Sequence, residues 1–304
     1  MINNFNIKTN NFRNIKMVFR KANYAGSWYK KKGLIEALER YFTDKNFGPG
    51  EKPETLNLES RTIIGGVSPH AGHEYSGPCA AFTYFNLFKE MIPDTIIILG
   101  TDHRGYRNIA LFEDGEWETP LGNLKIDNEL SKKILDNSSK IKSDTSAFLI
   151  GEHNIEIQLP FIKYCAKDKD LKIIPIKITP RINFDVMDEI SSDIANAVKS
   201  VDKDVVVVAS SDMSHEYVHS EEQLKKFKEI DQAVINGFER LNPNETLDAA
   251  LRTSVCGPQT ITTLILIGKK LNASKGKLLK YYTSSEKTGS FDYCVGYFSG
   301  IIIK

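Results

Sequence analysis

Cysteine is scarce and scattered in this 304-residue chain: Cys79, Cys165, Cys256 and Cys294 form no C-x-x-C pair. That spacing argues against a disulfide framework and against a cysteine-cage zinc site, and leaves free, mostly buried thiols as the plain expectation. An excess of one charge is missing too, since 40 basic side chains stand against 39 acidic ones for a formal net charge of +1. Bulk electrostatics therefore give no reason to expect nucleic acid, a membrane surface or a polyanion as partner. No stretch approaches the roughly 20 uninterrupted apolar residues of a membrane span, and the N-terminal MINNFNIKTNNFRNIK lacks the apolar core of a signal peptide. The expectation is a soluble, cytoplasmic protein. Its Asn-rich residues 1–16 read as a flexible extension and 17–304 as a single α/β domain, because the loop-like segments 45–60 and 240–248 are too short to mark a boundary.

What the chain does have is apolar runs. Ile- and Val-rich stretches at 62–68, 94–99, 171–178, 204–210, 276–283 and 293–303 read as strands, many without the alternation of a half-exposed strand and so buried on both faces. Helix-period segments at 77–90, 127–137, 154–166, 184–200, 220–240, 246–252 and 257–271 lie between them. Strands interleaved with helices predict a mainly parallel central sheet flanked by helices, and the 41% hydrophobic content is enough for a sizeable core.

Three of the runs lead into histidines. IIGGVSPHAGHEY reaches His70, TIIILGTDH reaches His103, and VVVVASSDMSH reaches Asp212 and His215. The carboxyl ends of strands in an open parallel sheet share one rim, so these residues are expected to meet. Pro69 and Gly72 break the first strand beside His70, and Gly72 and Gly77 read as turn glycines that let the backbone approach a ligand. A lone histidine at a strand end is more often structural; a second in the matching place, His103, points instead to a shared ion, since adjacent parallel strands lie ~5 Å apart. Cys256 offers a third ligand. It precedes Gly257-Pro258, the entry to an apolar helix, where the positive end of the helix dipole favours a thiolate. The alternative for Cys256 is a small buried hydrophobe.

The remaining candidates are paired polar groups. In SSDMSH, Asp212 can orient His215 and raise its pKa for acid or base work, or can cap a following helix. GEHNIEIQLPF places Glu152 and His153 at a turn, with Asn154 as helix cap and Glu156 in the first turn; capping does not account for His153. His73 and His219 are expected to face solvent or to stand behind the ligands, because no strand pattern stops at either.

Taken in order, ANYAGSWY, SPHAGHEYSG, ILGTDH, WETPLG, GEHNIEIQLPF, SSDMSH and TSVCG resemble the Memo family, which is related in fold to class III extradiol dioxygenases of the LigB type. The likeness runs from about Lys21 to the C-terminus. It implies a LigB-dioxygenase-like α/β body and one metal ion held by His70, His103 and Cys256. It also implies that Trp28 and Tyr75 line the same pocket and that His215 takes the place of the dioxygenases' acid/base histidine. The chain departs from some relatives at His73 and Arg104.

The function this implies is a metal-dependent oxidoreductase, with His215 moving protons and Asp212 or His153 orienting it. Extradiol enzymes hold ferrous iron with two histidines and a carboxylate; cysteine keeps the negative charge but is softer, so iron is favoured while copper and zinc also suit the donors. Two alternatives use the same pocket: a non-catalytic protein receiving a peptide or small anion, and a zinc-dependent hydrolase. A nucleophilic Cys256–His215 pair ranks last, for want of any local cysteine-protease phrase. The expected partner is a small-molecule or peptide ligand, and self-association into a homo-oligomer is left open.

Overall fold

The structure, a computed structural model, describes residues 18–149 and 151–304; the expected extension 1–16 lies outside them. Twelve strands are present among the described residues: β1 (Phe19–Arg20), β2 (Ile63–Ser68), β3 (Thr95–Thr101), β4 (Ile109–Leu111), β5 (Glu116–Trp117), β6 (Leu124–Ile126), β7 (Ile141–Ser143), β8 (Lys172–Ile178), β9 (Val205–Ser210), β10 (His215–Tyr217), β11 (Lys275–Thr283) and β12 (Tyr293–Ile303). The helices are α1 (Leu34–Thr43), α2 (His73–Lys89), α3 (Asn128–Asn137), α4 (Ser146–Leu149), α5 (Leu159–Ala166), α6 (Phe184–Lys199), α7 (Glu221–Glu239), α8 (Pro243–Ala250), α9 (Pro258–Lys270) and α10 (Ser284–Thr288).

The sheet runs β1-β5-β6-β8-β3-β9-β2-β12-β10. Its centre is parallel, β6 to β8, β8 to β3, β3 to β9 and β9 to β2, while β12 pairs antiparallel with β2, β10 and β11. The molecule is thus a mixed α/β protein whose large sheet is mostly parallel and flanked by helices. Along β3 the pleat sends Ile96 and Ile98 to one core with Leu38, Tyr84, Phe88 and Phe161, and Ile97 and Leu99 to another with Ile190, Ile194, Leu264 and Ile265. Helices α1, α2 and α5 therefore cover one face and α3, α6 and α9 the other, which is why the central strands carry aliphatic residues on both faces. Each of these aliphatic side chains contributes about 1.5–3 kcal/mol by leaving water.

Local chemistry sets the element ends. Asn183 caps α6 by accepting the Val186 N–H at 3.1 Å, and Thr283 with Glu286 closes a capping box on α10. Helix α5 starts later than the sequence suggested, after a short 3-10 turn at Glu156–Gln158. Asn154 does not cap it: its side-chain amide donates to the Thr101 carbonyl. Glu156 does stand in a first turn, that of the 3-10 segment, but its carboxylate is tied to the N-terminal segment. It is buried, 3.1 Å from Arg20 Nη1, and accepts from the Asn23 and Tyr24 N–H groups and the Tyr29 hydroxyl. Gly77, read as a turn glycine, lies inside α2, where a Cβ would stand 2.9 Å from the Tyr41 ring; it permits α1 to pack closely.

Candidate metal centre

Strands β2, β3 and β9 end at Ser68, Thr101 and Ser210 on one rim, and the next few residues of each carry His70, His103 and Asp212. The expectation that β2 and β3 are neighbours is corrected, because β9 lies between them. The two histidines meet all the same: each strand is followed by a turn that leans over the end of β9, and the ring centroids are 5.4 Å apart. Cys256 arrives from the loop before α9, its N–H donating to the Asp212 carbonyl at 3.2 Å. One donor atom from each of His70, His103 and Cys256 lies within 4.8 Å of the others.

Hydrogen bonding fixes which ring nitrogens are free. The Ser210 hydroxyl gives its one hydrogen to the Asn154 carbonyl at 2.7 Å and accepts from the Gln158 amide at 2.9 Å. It can only accept again, so the 3.1 Å contact to His70 Nδ1 requires the proton on that nitrogen. His70 Nε2 therefore carries a lone pair, and it is buried with no hydrogen-bond partner. Burial and the neighbouring His103 ring push the His70 pKa well down, keeping the imidazole neutral. At His103, Nδ1 lies 2.9 Å from Glu152 Oε1. Burial opposes the Glu152 charge, but hydrogen bonds and attraction from His103 outweigh it and hold this carboxyl down at about 2. Glu152 is then an acceptor, His103 Nδ1 the donor, and His103 Nε2 is left free. A carboxylate behind an imidazole in this way sets a metal ligand's tautomer and basicity. Glu152 also meets His103 and His153 as a second group of potential donors, but its oxygens already accept from the N–H groups of both.

Cys256 corrects one expectation. Burial, then the Asp212 and Glu152 carboxylates, push its thiol pKa up rather than down, overriding the helix entry. A thiolate there needs a cation close by. Asp212 caps no helix, since β10 follows it; its Oδ1 accepts the His70 N–H at 2.7 Å and the Ala71 N–H at 3.2 Å. Its Oδ2 stands 3.9 Å from His70 Nε2 and 4.0 Å from His215 Nε2, and burial pushes its pKa up. The group that orients His215 is Ser254: its carbonyl takes the His215 Nδ1–H at 3.2 Å and its hydroxyl takes the His215 N–H at 2.8 Å. His215 Nε2 is thereby aimed at Cys256 Sγ, 3.7 Å away.

His153 packs against the Trp28 ring, tilted by 34° with centroids 4.1 Å apart, and lies parallel to His103 at 5.2 Å. Burial and then the His70 ring press its pKa down to about 3, so it is neutral near pH 7. Trp28 and Tyr75, together with these groups, line a cavity of about 570 Å³. His219 is exposed and stacks on Tyr217. His73 does not face solvent; it is buried among Tyr29, Tyr41 and Phe161 and bonds through Nε2 to the Ile157 carbonyl at 2.9 Å. Sequence reading assigned no role to Glu152, Ser210 or Ser254. The one available signal was adjacency: Glu152 precedes His153, Ser210 closes the VVVVAS run, and Ser254 is two residues from Cys256.

Fold and site together define a mixed α/β protein that gathers two imidazoles and a thiol over the ends of its parallel strands. The sequence profile of Memo-like proteins matches residues 20–301, and the chain belongs to the Memo family. A MEMO1 family protein of Desulfurococcus amylolyticus is 39% identical over 280 residues, spanning 90% of this chain and 95% of that one. Another from Pyrococcus furiosus is 35% identical over 309 residues, spanning 94% and 100%. Among solved structures, an uncharacterized Escherichia coli K12 protein aligns with TM-score 0.42 at 12% identity, covering 68% of this chain and 86% of its own. Among the described residues no helix is long and apolar enough to cross a membrane.

Proposed function

We propose that this protein holds one metal ion through His70, His103 and Cys256 and is a metal-dependent oxidoreductase with a dioxygenase-like pocket. It would act on a small molecule in the cytoplasm, with residues 17–304 as one working domain. The observation that carries the reading is the His70 Nε2 lone pair, buried without a partner beside the other two donors. A buried polar atom with no partner costs about 1–3 kcal/mol, and an ion in that position would remove the cost. Iron is the favoured metal, with copper and zinc compatible with the same donors.

When bound, such an ion supplies Lewis-acid and electron-transfer chemistry to a substrate oxygen. His215 Nε2 is the proton acceptor at that oxygen. Its Nδ1–H stays bonded to the Ser254 carbonyl as Nε2 takes the proton, with Asp212 Oδ2 4.0 Å from Nε2. The same nitrogen, 3.7 Å from Cys256 Sγ, is placed to receive the thiol proton first and to release it to solvent through the cavity that His215 lines, which frees it to accept again. Trp28 and His153 wall the pocket.

The test is anaerobic purification with elemental analysis of the wild type, His70→Ala and Cys256→Ser. A redox-active metal near one per chain is expected in the wild type and its loss in both variants; stoichiometric metal in both variants excludes the site. Zinc alone, inert to a reductant-and-air cycle, would favour the hydrolase instead. A non-catalytic binding role draws on the exposed Trp28 and Tyr75 rings, and would be favoured by a ligand that binds metal-free and metal-loaded protein equally well.

A further inference from the structure

We infer that the outer half of this pocket selects a positively charged group, an ammonium or guanidinium carried by the substrate; the inference rests on the reading of the pocket as the substrate site. Among the described residues no lysine or arginine lines the cavity, and the exposed Asp292 lies on its outer wall; Asp212, buried deeper, already accepts two backbone N–H groups. Arg104, next to His103, is turned away to the Gly151 carbonyl. The backbone at Asp292 is tied to the neighbouring strand end, its carbonyl accepting the Val218 N–H at 2.9 Å.

Aromatic rings are the second, independent observation. Trp28, Tyr75 and Tyr293 all line the cavity and are 37%, 49% and 52% exposed. Large rings left open to water around a hollow carry recognition more often than packing, and their negative π faces attract cations. Rings beside a carboxylate, with no competing basic side chain, form the environment that quaternary and primary ammonium ligands use.

The opposite polarity is confined to the inner end. Helices α2 and α9 both start there, just after His70 and Cys256, and their positive dipole ends favour anionic ligand atoms only within about one turn. The pocket is thus electrically divided, suited to an oxygen donor at the inner end and a cation at the mouth. A ligand whose outer end is a carboxylate or phosphate would sit against Asp292 with no counter-charge. The small-anion occupant weighed from the sequence is therefore disfavoured in the outer half.

The test uses three ligands of one shape and different charge: tyramine, 4-ethylphenol and 3-(4-hydroxyphenyl)propionate. The chain has two tryptophans, and Trp117 is 1% exposed, so quenching of indole emission follows Trp28. Tyramine is expected to bind about fivefold or more tightly than 4-ethylphenol, with the propionate weakest, and Asp292→Asn is expected to abolish the tyramine preference. Tyr293→Leu should weaken tyramine more than 4-ethylphenol. Equal binding of the three, binding of none, or an Asp292→Asn variant with its preference intact overturns the inference. Running the series on protein as purified and after chelation separates the two proposals: absence of metal counts against the metal centre alone, whereas loss of charge preference in both preparations counts against the cation site alone.

Discussion

Ser210 shows how one hydroxyl can prepare a ligand. With its hydrogen given to the Asn154 carbonyl, it forces the His70 proton onto Nδ1 and leaves Nε2 open. Ser210→Ala is expected to keep the fold but lower metal affinity about 10–100-fold, the usual loss when a ligand's orienting partner is removed; chelator competition measures it. His73 shows the opposite use of an imidazole. Burial lowers its pKa to about 4, against about 6.5 in the unfolded chain. Above about pH 6.5 the ring is neutral in both states. Between that value and about 4 only the unfolded chain takes up the proton, so stability falls as pH falls, by about 3 kcal/mol across the window. Urea unfolding at pH 7 and pH 5 should show the loss. His73→Phe should be less stable at pH 7, leaving the Ile157 carbonyl unpaired, yet show a shallower decline.

At the scale of elements, β3 must let a loop close over its end. A Cβ on Gly100 would come within 2.4 Å of Asn154 Oδ1 and 2.6 Å of Ile155 Cγ1. Gly100→Ala is expected to cost about 1–3 kcal/mol and, by pushing the 152–155 segment outward, to loosen the Glu152–His103 contact. Denaturant melts together with metal affinity check both effects. The long elements were legible in the sequence because their patterns are local: the TIIILG and VVVVAS runs became β3 and β9, and the 184–200 periodicity became α6 almost residue for residue. Strands of two or three residues such as β1, β5 and β10 carry no period to detect. Helix α1 was also missed, although Leu34, Ala37, Leu38, Tyr41 and Phe42 do form a helical stripe. At the site, the strand ends announced His70, His103 and Asp212. Strand order, the burial of His73 and the link from Glu152 to His103 depend on contacts between segments far apart in the chain, which local patterns do not encode.

Across the whole molecule, Arg20 and Glu156 tie the first described segment to the middle of the chain. Both are buried, with the Arg20 Nε also donating to the Phe148 carbonyl at 2.6 Å. The pair anchors the loop that carries Trp28 to the wall of the pocket. Glu156→Leu leaves an uncompensated buried guanidinium and is expected to cost about 3–5 kcal/mol, measured by urea unfolding, with a red-shifted Trp28 emission as the wall detaches. The three proposed ligands sit at positions 70, 103 and 256, each on a different crossover of the sheet. An unfolded polypeptide with donors so dispersed offers no chelate, unlike a zinc finger whose ligands cluster and whose folding waits for the ion. The chain is therefore expected to complete its sheet before loading, with the ion then adding stability by mass action, about 4 kcal/mol at a thousandfold excess over Kd. Metal starvation would accordingly accumulate a folded, reloadable apoprotein rather than a degraded one.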